Sequence, residues 1–176
     1  GILSDWVGAL SNLVQFSVHR NLLTGSIPNA ITDMTSLQEL YMYTNHFIGS
    51  IPFGIDRLSR LQKFHLHENA LSGSIPSSIE SMPLMIEMWL NENALTGQLP
   101  AGVSALSGLE SLFLQDNQLT GYEEGCFNHS TQAALHSVDM STNLVAGTLT
   151  SELFLLPELR VLSLSVNCIE SELSTD

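Results

Sequence analysis

A short asparagine-led motif recurs along the chain at a nearly constant interval. It reads NLLTGSIP from Asn21 to Pro28, NALSGSIP from Asn69 to Pro76 and NALTGQLP from Asn93 to Pro100. The leading asparagines follow one another at spacings of 24, 24, 24, 24, 26 and 24: Asn21, Asn45, Asn69, Asn93, Asn117, Asn143 and Asn167. A single coil of this length cannot bury its own apolar side, so neighbouring coils must stack. The sequence therefore predicts a solenoid of about seven repeats of 24 residues.

Each repeat carries the unit L-x-x-L-x-L-x-x-N-x-L, as in Leu37, Leu40 and Met42 before Asn45. The L-x-L alternation predicts a strand with one buried and one wet face. The asparagine side chain can satisfy backbone groups in the turn that follows, and stacked asparagines would form a structural ladder. A later proline, such as Pro52, removes a backbone donor as the chain turns away from the sheet.

This unit resembles the leucine-rich repeat superfamily, and the LTGSIP-type segment resembles its plant-type subclass, which is also found in algae. The resemblance covers nearly the whole chain. It implies an α/β solenoid, a right-handed superhelix with a parallel sheet on the concave face and 3₁₀ or extended segments on the convex face. We expect one such domain over residues 1–176. The pattern weakens at Tyr122-Glu123, Leu149-Thr150, Ser171 and Leu173-Ser174, so we expect a less regular back after Gly121.

The sequence starts and stops in mid-repeat, since Gly1–Ser4 aligns with Gly25–Pro28 and the last repeat is incomplete at Asp176. Terminal coils of solenoids usually carry polar caps. We therefore expect the chain to be part of a longer protein, truncated in mid-repeat at both ends.

The charge balance is strongly acidic, with 5 Lys and Arg against 18 Asp and Glu and a net charge of −13. Nucleic acids and anionic lipids require basic surfaces, so we expect neither as a partner. No apolar run is long enough to cross a membrane. The sequence has no G-x-S-x-G motif and no phosphate-binding loop, and an open sheet does not easily raise a carboxyl pKa. It therefore predicts a protein that is not an enzyme and has no cofactor.

The two cysteines, Cys126 and Cys168, are placed about two coils apart, or ~10 Å at one strand spacing per coil. This exceeds disulfide reach unless a loop folds over. Mutual pairing, pairing with another cysteine and two free core thiols all stay open. Asn128-His129-Ser130 is an N-glycosylation sequon in the two-residue insertion of the fifth repeat, where a surface loop could carry a glycan.

Residues 24 apart should stand side by side at about 4.8 Å. The middle wet column then contains an aromatic run of four residues, Tyr41, His65, Trp89 and Phe113, which the next column widens with His19, Tyr43 and His67. Exposed aromatic clusters usually mark a contact surface, although cross-strand stacking could instead only stabilise the sheet. Histidines in this position would make binding sensitive to pH between about 5 and 7.

Beside the aromatic run lies an acidic column of Glu68, Glu92 and Asp116, with Glu87 nearby. A basic partner or a calcium ion would relieve the repulsion between them, and salt screening of solvated carboxylates is the alternative. His65 and His67 share a strand face and could reach one zinc ion. A third ligand, Glu39 or Glu87, follows no known spacing, so we expect no metal site.

These patterns favour a non-catalytic recognition module that binds a protein, peptide or glycan on the concave face. The resemblance includes ectodomains of receptor-like kinases and polygalacturonase inhibitors, which implies an extracellular or cell-surface location. One alternative is a spacer or a structural or assembly subunit that packs by its flank, its back or its open ends within a larger complex. Another is ice binding, which requires regular Thr or Ser columns; the column here is only partly regular: Thr24, Ile48, Ser72, Thr96, Thr120 and Ala146.

Overall fold

The computed structural model describes residues 1–170, and each coil in this range contributes two short strands. Their bounds, in chain order, are β1 (Gln15–Ser17), β2 (Thr24–Ser26), β3 (Glu39–Tyr41), β4 (His46–Gly49), β5 (Lys63–His65), β6 (Ala70–Gly73), β7 (Glu87–Trp89), β8 (Ala94–Leu99), β9 (Ser111–Phe113), β10 (Gln118–Tyr122), β11 (Ser137–Asp139), β12 (Ala146–Gly147), β13 (Val161–Ser163) and β14 (Cys168–Ile169). The expected departures at Ser171 and Leu173-Ser174 lie outside the described residues.

The first strands of the coils form one parallel sheet of seven strands, in the order β1-β3-β5-β7-β9-β11-β13. Its register pairs Tyr41 with His65 and His65 with Trp89, so residues 24 apart are lateral neighbours. The pairing of Phe113 with Asp139 absorbs the longer fifth repeat. The backbone ladder continues two residues past the strand ends, as in the Thr44 N–H bond to the His67 carbonyl at 3.0 Å.

The second strands form a separate parallel sheet of five strands, in the order β10-β8-β6-β4-β2, while β12 and β14 form a two-stranded sheet. The five-stranded sheet ends at β10, whose register with β8 shifts between Leu119 and Gly121. After β10 the chain departs from the coil path, and Tyr122 packs edge-on against Phe127 with ring centroids 5.3 Å apart. The convex side of the solenoid is thus irregular after Gly121, where Tyr122-Glu123 replaces the Ile-Pro or Leu-Pro pair of the earlier repeats.

Short helices close the coils behind the sheets. Five are 3₁₀ helices: Asp5–Ala9, Asn29–Asp33, Ile55–Arg57, Ser77–Ser81 and Ala101–Ala105. The sixth coil, which has Thr150 in place of proline, instead forms a short α-helix, α1 (Ser151–Phe154). Pro28, Pro76 and Pro100 immediately precede three of the 3₁₀ helices with φ near the value that their rings impose. Nearly all of the helical structure is therefore 3₁₀.

The core is a continuous column of aliphatic and methionine side chains between the sheets and the helices. Leu37, Leu40 and Met42 of the second coil are 0–1% exposed, and the equivalent residues of the next three coils are also buried. Full burial of one such side chain stabilises the fold by about 1.5–3 kcal/mol. Stacking of the coils thus supplies the apolar burial that a single coil lacks.

The asparagines connect neighbouring coils through the main chain. Asn93 Nδ2 donates to the carbonyls of Leu90 and Asn91 in its own coil, at 3.1 and 3.2 Å, and to that of Leu66 in the preceding coil at 3.1 Å. Its Oδ1 accepts the Leu71 N–H at 2.9 Å. The side-chain amide therefore hydrogen-bonds to the turn that precedes it and to the preceding coil. The expected hydrogen bonds to the turn that follows the asparagine are not what the structure shows.

The residue before each asparagine has a left-handed backbone with φ between 51° and 56°. This column comprises Arg20, Thr44, Glu68, Glu92, Asp116, Thr142 and Val166. Left-handed backbone is unfavourable for residues other than glycine, and most so for β-branched ones. This left-handed conformation recurs in each of these turns, immediately before the asparagine whose side-chain amide donates to main-chain carbonyls of the turn.

Candidate functional site

The four residues of the middle column are in lateral contact along the seven-stranded sheet. The Tyr41 ring meets the His65 ring edge-on, with centroids 5.0 Å apart and planes at 64°. His65 stacks on Trp89 at 4.0 Å and 4°, and Trp89 lies 5.4 Å from Phe113 at 35°. These rings lie on the wet side of the sheet, opposite the core residues Leu40, Phe64, Met88 and Leu112.

The next column adds a second stack of rings. His19 and Tyr43 lie 4.4 Å apart with planes at 12°, and Tyr43 and His67 lie 4.4 Å apart at 9°. The two columns also touch, since the rings of His67 and Trp89 are 5.8 Å apart. We call the seven rings the aromatic array: His19, Tyr41, Tyr43, His65, His67, Trp89 and Phe113.

Several faces of these rings are covered by other rings of the array. Tyr43 has a nearly parallel ring on each side, His19 and His67, and the indole of Trp89 is covered by His65. The Trp89 Nε1–H donates to Ser111 Oγ at 2.9 Å, so this donor is already used within the chain. The array therefore presents mainly ring edges and polar ring atoms to a ligand.

His65 is the most buried member of the array, with 5% of its surface exposed. Burial lowers the pKa of His65 to about 4, and the neighbouring Glu87 carboxylate opposes this only in part. The ring is therefore neutral between pH 5 and 7, and its Nε2–H donates to Glu87 Oε2 at 2.8 Å. Burial also lowers the pKa of His67. The expected titration of the face between pH 5 and 7 is wrong for His65 because the sheet neighbours desolvate its ring.

Glu87 is held by two partners, His65 and Lys63, whose Nζ lies 3.2 Å from Glu87 Oε1. The hydrogen bond and charge of Glu87 raise the pKa of Lys63. Glu87 thus forms an ion pair within the chain and is not a free member of the acidic column. Within residues 1–170, no three His, Cys, Asp or Glu side chains are grouped so as to hold a metal ion.

The three remaining acidic residues, which we call the carboxylate row, are Glu68, Glu92 and Asp116. All three are exposed and occupy the left-handed position before an asparagine. Glu68 Oε2 accepts the Thr44 hydroxyl at 2.8 Å, and Glu92 Oε1 accepts Asn91 Nδ2 at 3.3 Å. Within residues 1–170, none of the three forms a salt bridge.

Two residues of the second column were not selected from the sequence. Asn91 is 7% exposed, and Gln115 is partly buried. In the described part of the chain, Gln115 Oε1 and His67 Nδ1 are buried atoms without a hydrogen-bond partner. The column position of Gln115 was visible in the sequence, but the burial of its oxygen was not, because this depends on the side chains around it.

Asn128 lies in a tight turn on the flank of the solenoid. Its Oδ1 accepts the Ser130 N–H at 2.9 Å, and its own N–H donates to Gln132 Oε1 at 2.8 Å. Gln132 is fully buried and anchors the turn through a bond from its Nε2 to the Val103 carbonyl at 3.1 Å. His129 and Ser130 are exposed, so the sequon stands on an accessible, ordered loop.

Two further features bear on the alternatives left open by the sequence. Cys126 is buried and Cys168 exposed, and within residues 1–170 neither forms a disulfide. The outward column from Thr24 to Ala146 is exposed, but Ile48, 52% exposed, interrupts its hydroxyl-bearing residues. In residues 1–170, no helix has the length and apolar character needed to cross a bilayer.

Comparison with known proteins agrees with this architecture. The Leucine Rich Repeat family model matches residues 60–82. The crystal structure of PEPR1–AtPEP1 is 29% identical, with a TM-score of 0.90, over 96% of this chain and 24% of that one. The Arabidopsis HAESA ectodomain, solved with an IDA peptide hormone, is 26% identical, with a TM-score of 0.85, over 93% of this chain and 27% of that one.

Two other solved structures are shorter. Pollen Receptor Kinase 3 is 25% identical, with a TM-score of 0.76, over 92% of this chain and 77% of that one. A plant ice-binding protein is 22% identical, with a TM-score of 0.55, over 99% of this chain and 71% of that one, which shows the shared fold alone.

No curated protein sequence matches the chain. The chain spans about a quarter of the length of the PEPR1 and HAESA chains. The stacked parallel strands, the repeat unit and these neighbours confirm the expected solenoid. The chain thus contains a match to the Leucine Rich Repeat model and is similar over nearly its whole length to leucine-rich repeat ectodomains of plant receptor kinases.

Proposed function

We propose that this chain is a non-catalytic recognition module of a receptor-like ectodomain, and that it binds a peptide or protein ligand on the face of its seven-stranded sheet. The observation that carries the proposal is the aromatic array, seven contiguous rings on the wet side of the sheet. Large aromatic groups dominate the binding energy of many protein interfaces. Structural neighbours solved with peptide ligands, such as HAESA with IDA, support a ligand of this class.

The orientation of the rings favours a peptide over a glycan. Sugars bind aromatic residues by stacking on an open ring face, and here both faces of Tyr43 and one face of Trp89 are covered by stacked rings. Ring edges carry the positive end of the aromatic quadrupole and attract carbonyl oxygens. A peptide main chain offers such oxygens at every residue. The exposed ring edges are therefore better suited to binding a peptide than a sugar.

The test compares two single-residue variants on an arrayed peptide library. Tyr43→Ala removes the central ring of the second stack, whereas Phe53→Ala removes a ring that is 94% exposed and lies outside the array. We expect Tyr43→Ala to weaken binding of the selected peptides at least about tenfold and Phe53→Ala to leave it unchanged. Circular dichroism of each variant checks that the fold is retained.

Three outcomes would overturn the proposal. Equal affinities of wild type and Tyr43→Ala would show that the array is not the binding surface. Selective loss with Phe53→Ala would favour the assembly-subunit alternative, because Phe53 lies in the connection between β4 and the third 3₁₀ helix rather than on the sheet face. Binding to a glycan array, abolished by Tyr43→Ala, would assign the face to sugars.

An extracellular or cell-surface location belongs to the same proposal, since the receptor ectodomains resemble this chain closely in fold. The exposed sequon at Asn128 supports it. We assign Asn128 as a glycan carrier: its side-chain nitrogen has no hydrogen bond within the described residues, and its oxygen is held by the Ser130 N–H. The turn lies outside the sheets, so a glycan there would leave the aromatic array uncovered.

A further inference from the structure

The fifth and sixth coils separate over part of their length, on the side of the second sheet. The Leu144 N–H still donates to the Leu119 carbonyl at 2.9 Å, and further along the Thr150 N–H donates to the Tyr122 hydroxyl oxygen at 3.1 Å. Between these two bonds β10 and β12 lie in different sheets. A cavity of about 520 Å³, which we call the inter-coil cleft, is lined by residues from both coils. Small-molecule sites typically have volumes of about 300–1,000 Å³.

The glycine column shows that the sixth coil has moved away from the coil before it. A Cβ built on Gly49, Gly73 or Gly97 would lie 3.5–3.6 Å from a serine Cβ of the preceding coil. At the equivalent Gly147, and at Gly125 in the lining of the cleft, an added Cβ would meet no other described residue within 4 Å. The main chain is therefore open to close approach by a ligand at this point.

The strand β12 directs unpaired main-chain groups towards the cleft. The carbonyls of Val145 and Gly147 accept the N–H groups of Cys168 and Glu170, at 2.8 and 3.2 Å. Successive residues of a strand direct their main-chain groups to opposite edges, so those of Ala146 face back towards β10. Within residues 1–170, no main-chain hydrogen bond joins Ala146 to β10. The cleft thus has a main-chain donor and a main-chain acceptor available.

The side chains that line the cleft are polar on both walls. Gln98 and Thr120 come from the five-stranded sheet, Glu124 follows β10, and Thr148 and Glu152 belong to the sixth coil. Among the described residues of the lining, none is lysine, arginine or histidine. Neither carboxylate forms a salt bridge within residues 1–170. The cleft therefore combines hydroxyls, a carboxamide and two carboxylates without a positive charge.

This set of groups favours a ligand that can both donate and accept hydrogen bonds. An anion would meet two carboxylates with no cation to offset them, and a cation would leave the Ala146 N–H without an acceptor. Each hydroxyl of a sugar donates one hydrogen bond and can accept others, so it suits a carboxylate, a threonine hydroxyl or an N–H equally. A neutral polyol is thus the ligand class that matches the whole lining.

We propose that the inter-coil cleft is a second binding site, which takes a neutral sugar unit of a carbohydrate ligand. The carboxylates of Glu124 and Glu152 accept sugar hydroxyl hydrogens, Thr120 and Thr148 donate and accept, and the Ala146 N–H donates to a sugar oxygen. The cleft lies between second strands, whereas the aromatic array lies on the seven-stranded sheet. The inference is therefore independent of peptide binding by the array.

The first test applies the chain to an array of neutral β-glucan, xylan, mannan and chitin oligosaccharides and then measures the affinity of bound sugars by calorimetry. We expect at least one class to bind wild type, and Thr120→Val to weaken this binding about five- to tenfold, because valine keeps the shape but removes the hydroxyl. Thr96→Val is the matched control, since Thr96 occupies the same column one coil earlier and does not line the cleft. We expect it to leave sugar binding unchanged.

A second variant narrows the cleft with a larger side chain. Ala146→Ile should weaken sugar binding more than about tenfold, and the fold should tolerate it because Ile48 occupies the equivalent position of the second coil. Ser72→Ile makes a similar change in the same column outside the cleft and should have no effect on binding. Circular dichroism and the urea-unfolding midpoint check that both variants remain folded.

Several outcomes would overturn the inference. Absence of binding by every neutral sugar class would do so, as would equal effects of Thr120→Val and Thr96→Val. Oligogalacturonate and spermidine serve as charged probes, and binding of either one in the cleft in place of neutral sugars would contradict the assigned ligand class. Tyr43→Ala should leave sugar binding unchanged. If Tyr43→Ala abolishes it and Thr120→Val does not, sugars bind the array and the cleft is not their site.

Discussion

The imidazole of His65 lies flat on the indole of Trp89, with ring centroids 4.0 Å apart and planes within 4° of each other. This contact, together with Tyr41 on the other side, removes His65 from water. One pair of residues thus combines the two features that define the sheet face: ring faces that cover one another and a histidine that stays neutral at physiological pH.

The burial of His65 predicts a dependence of stability on pH. Its pKa is about 4 in the folded chain, against an ordinary value of 6.5. Between these values the unfolded chain binds more protons, so stability is full above about pH 6.5 and falls as the pH drops towards 4. The loss from about pH 7.5 to pH 5 should be about 1–2 kcal/mol.

Urea unfolding of wild type and His65→Gln at both pH values measures this term. Glutamine keeps a donor for Glu87 but does not titrate, so the pH dependence should be smaller in the variant by about 1–2 kcal/mol. All other ionisable groups are the same in both proteins, so their contributions cancel when the two pH dependences are subtracted. Identical pH dependences would show that His65 is protonated as easily in the folded chain as in the unfolded one.

The asparagine ladder predicts a gradient of stability effects along the chain. Asn93→Ala would leave the Leu71 N–H and several carbonyls without their side-chain partner, at a cost of about 3 kcal/mol. Among residues 1–170, the side chain of Asn21 makes two hydrogen bonds, to the carbonyls of Val18 and His19 within its own turn. Asn21→Ala should therefore cost under about 1 kcal/mol. Equal losses in denaturant unfolding would contradict the role of the inter-coil bonds.

The left-handed column predicts a stabilising substitution. Val166 has φ 56° and is 73% exposed, so its β-branched side chain strains the backbone with little compensating burial. Val166→Asn should raise the free energy of unfolding by about 1 kcal/mol, because asparagine tolerates this region. Val161→Asn is the control, since Val161 is also exposed but lies in a strand, where asparagine is unfavourable. If denaturant unfolding shows a higher free energy of unfolding for both variants, the gain would come from replacing an exposed valine and not from relief of backbone strain.

The Asn128 turn predicts one N-linked glycan when the chain is expressed through a eukaryotic secretory pathway. Digestion with a peptide N-glycosidase should reduce its mass, and intact-mass spectrometry should locate the modification at Asn128. Ser130→Ala should abolish it, whereas Ser130→Thr, which preserves the hydroxyl of the sequon, should not. An unmodified wild-type chain from that host would remove the support that this site gives to an extracellular location.

The repeat period alone was enough to predict the seven-stranded sheet and the contiguity of Tyr41, His65, Trp89 and Phe113. In a parallel solenoid the repeat length sets the register, so a spacing of 24 residues becomes one lateral step. The same reasoning predicted the buried Leu and Met columns and the irregular back after Gly121, because missing proline and glycine signals are local properties of the chain.

Only the tertiary structure decided how those side chains are used. The stacking of Tyr43 between two histidines, the neutral state of His65 and the lack of a partner for the Gln115 oxygen within residues 1–170 depend on rotamers and on burial by residues from neighbouring coils. The reach of the asparagines from Asn45 to Asn167 into the preceding coil has the same origin. A periodic pattern specifies which residues are neighbours, but solvent exclusion and hydrogen-bond geometry arise only when all of the neighbours are in place.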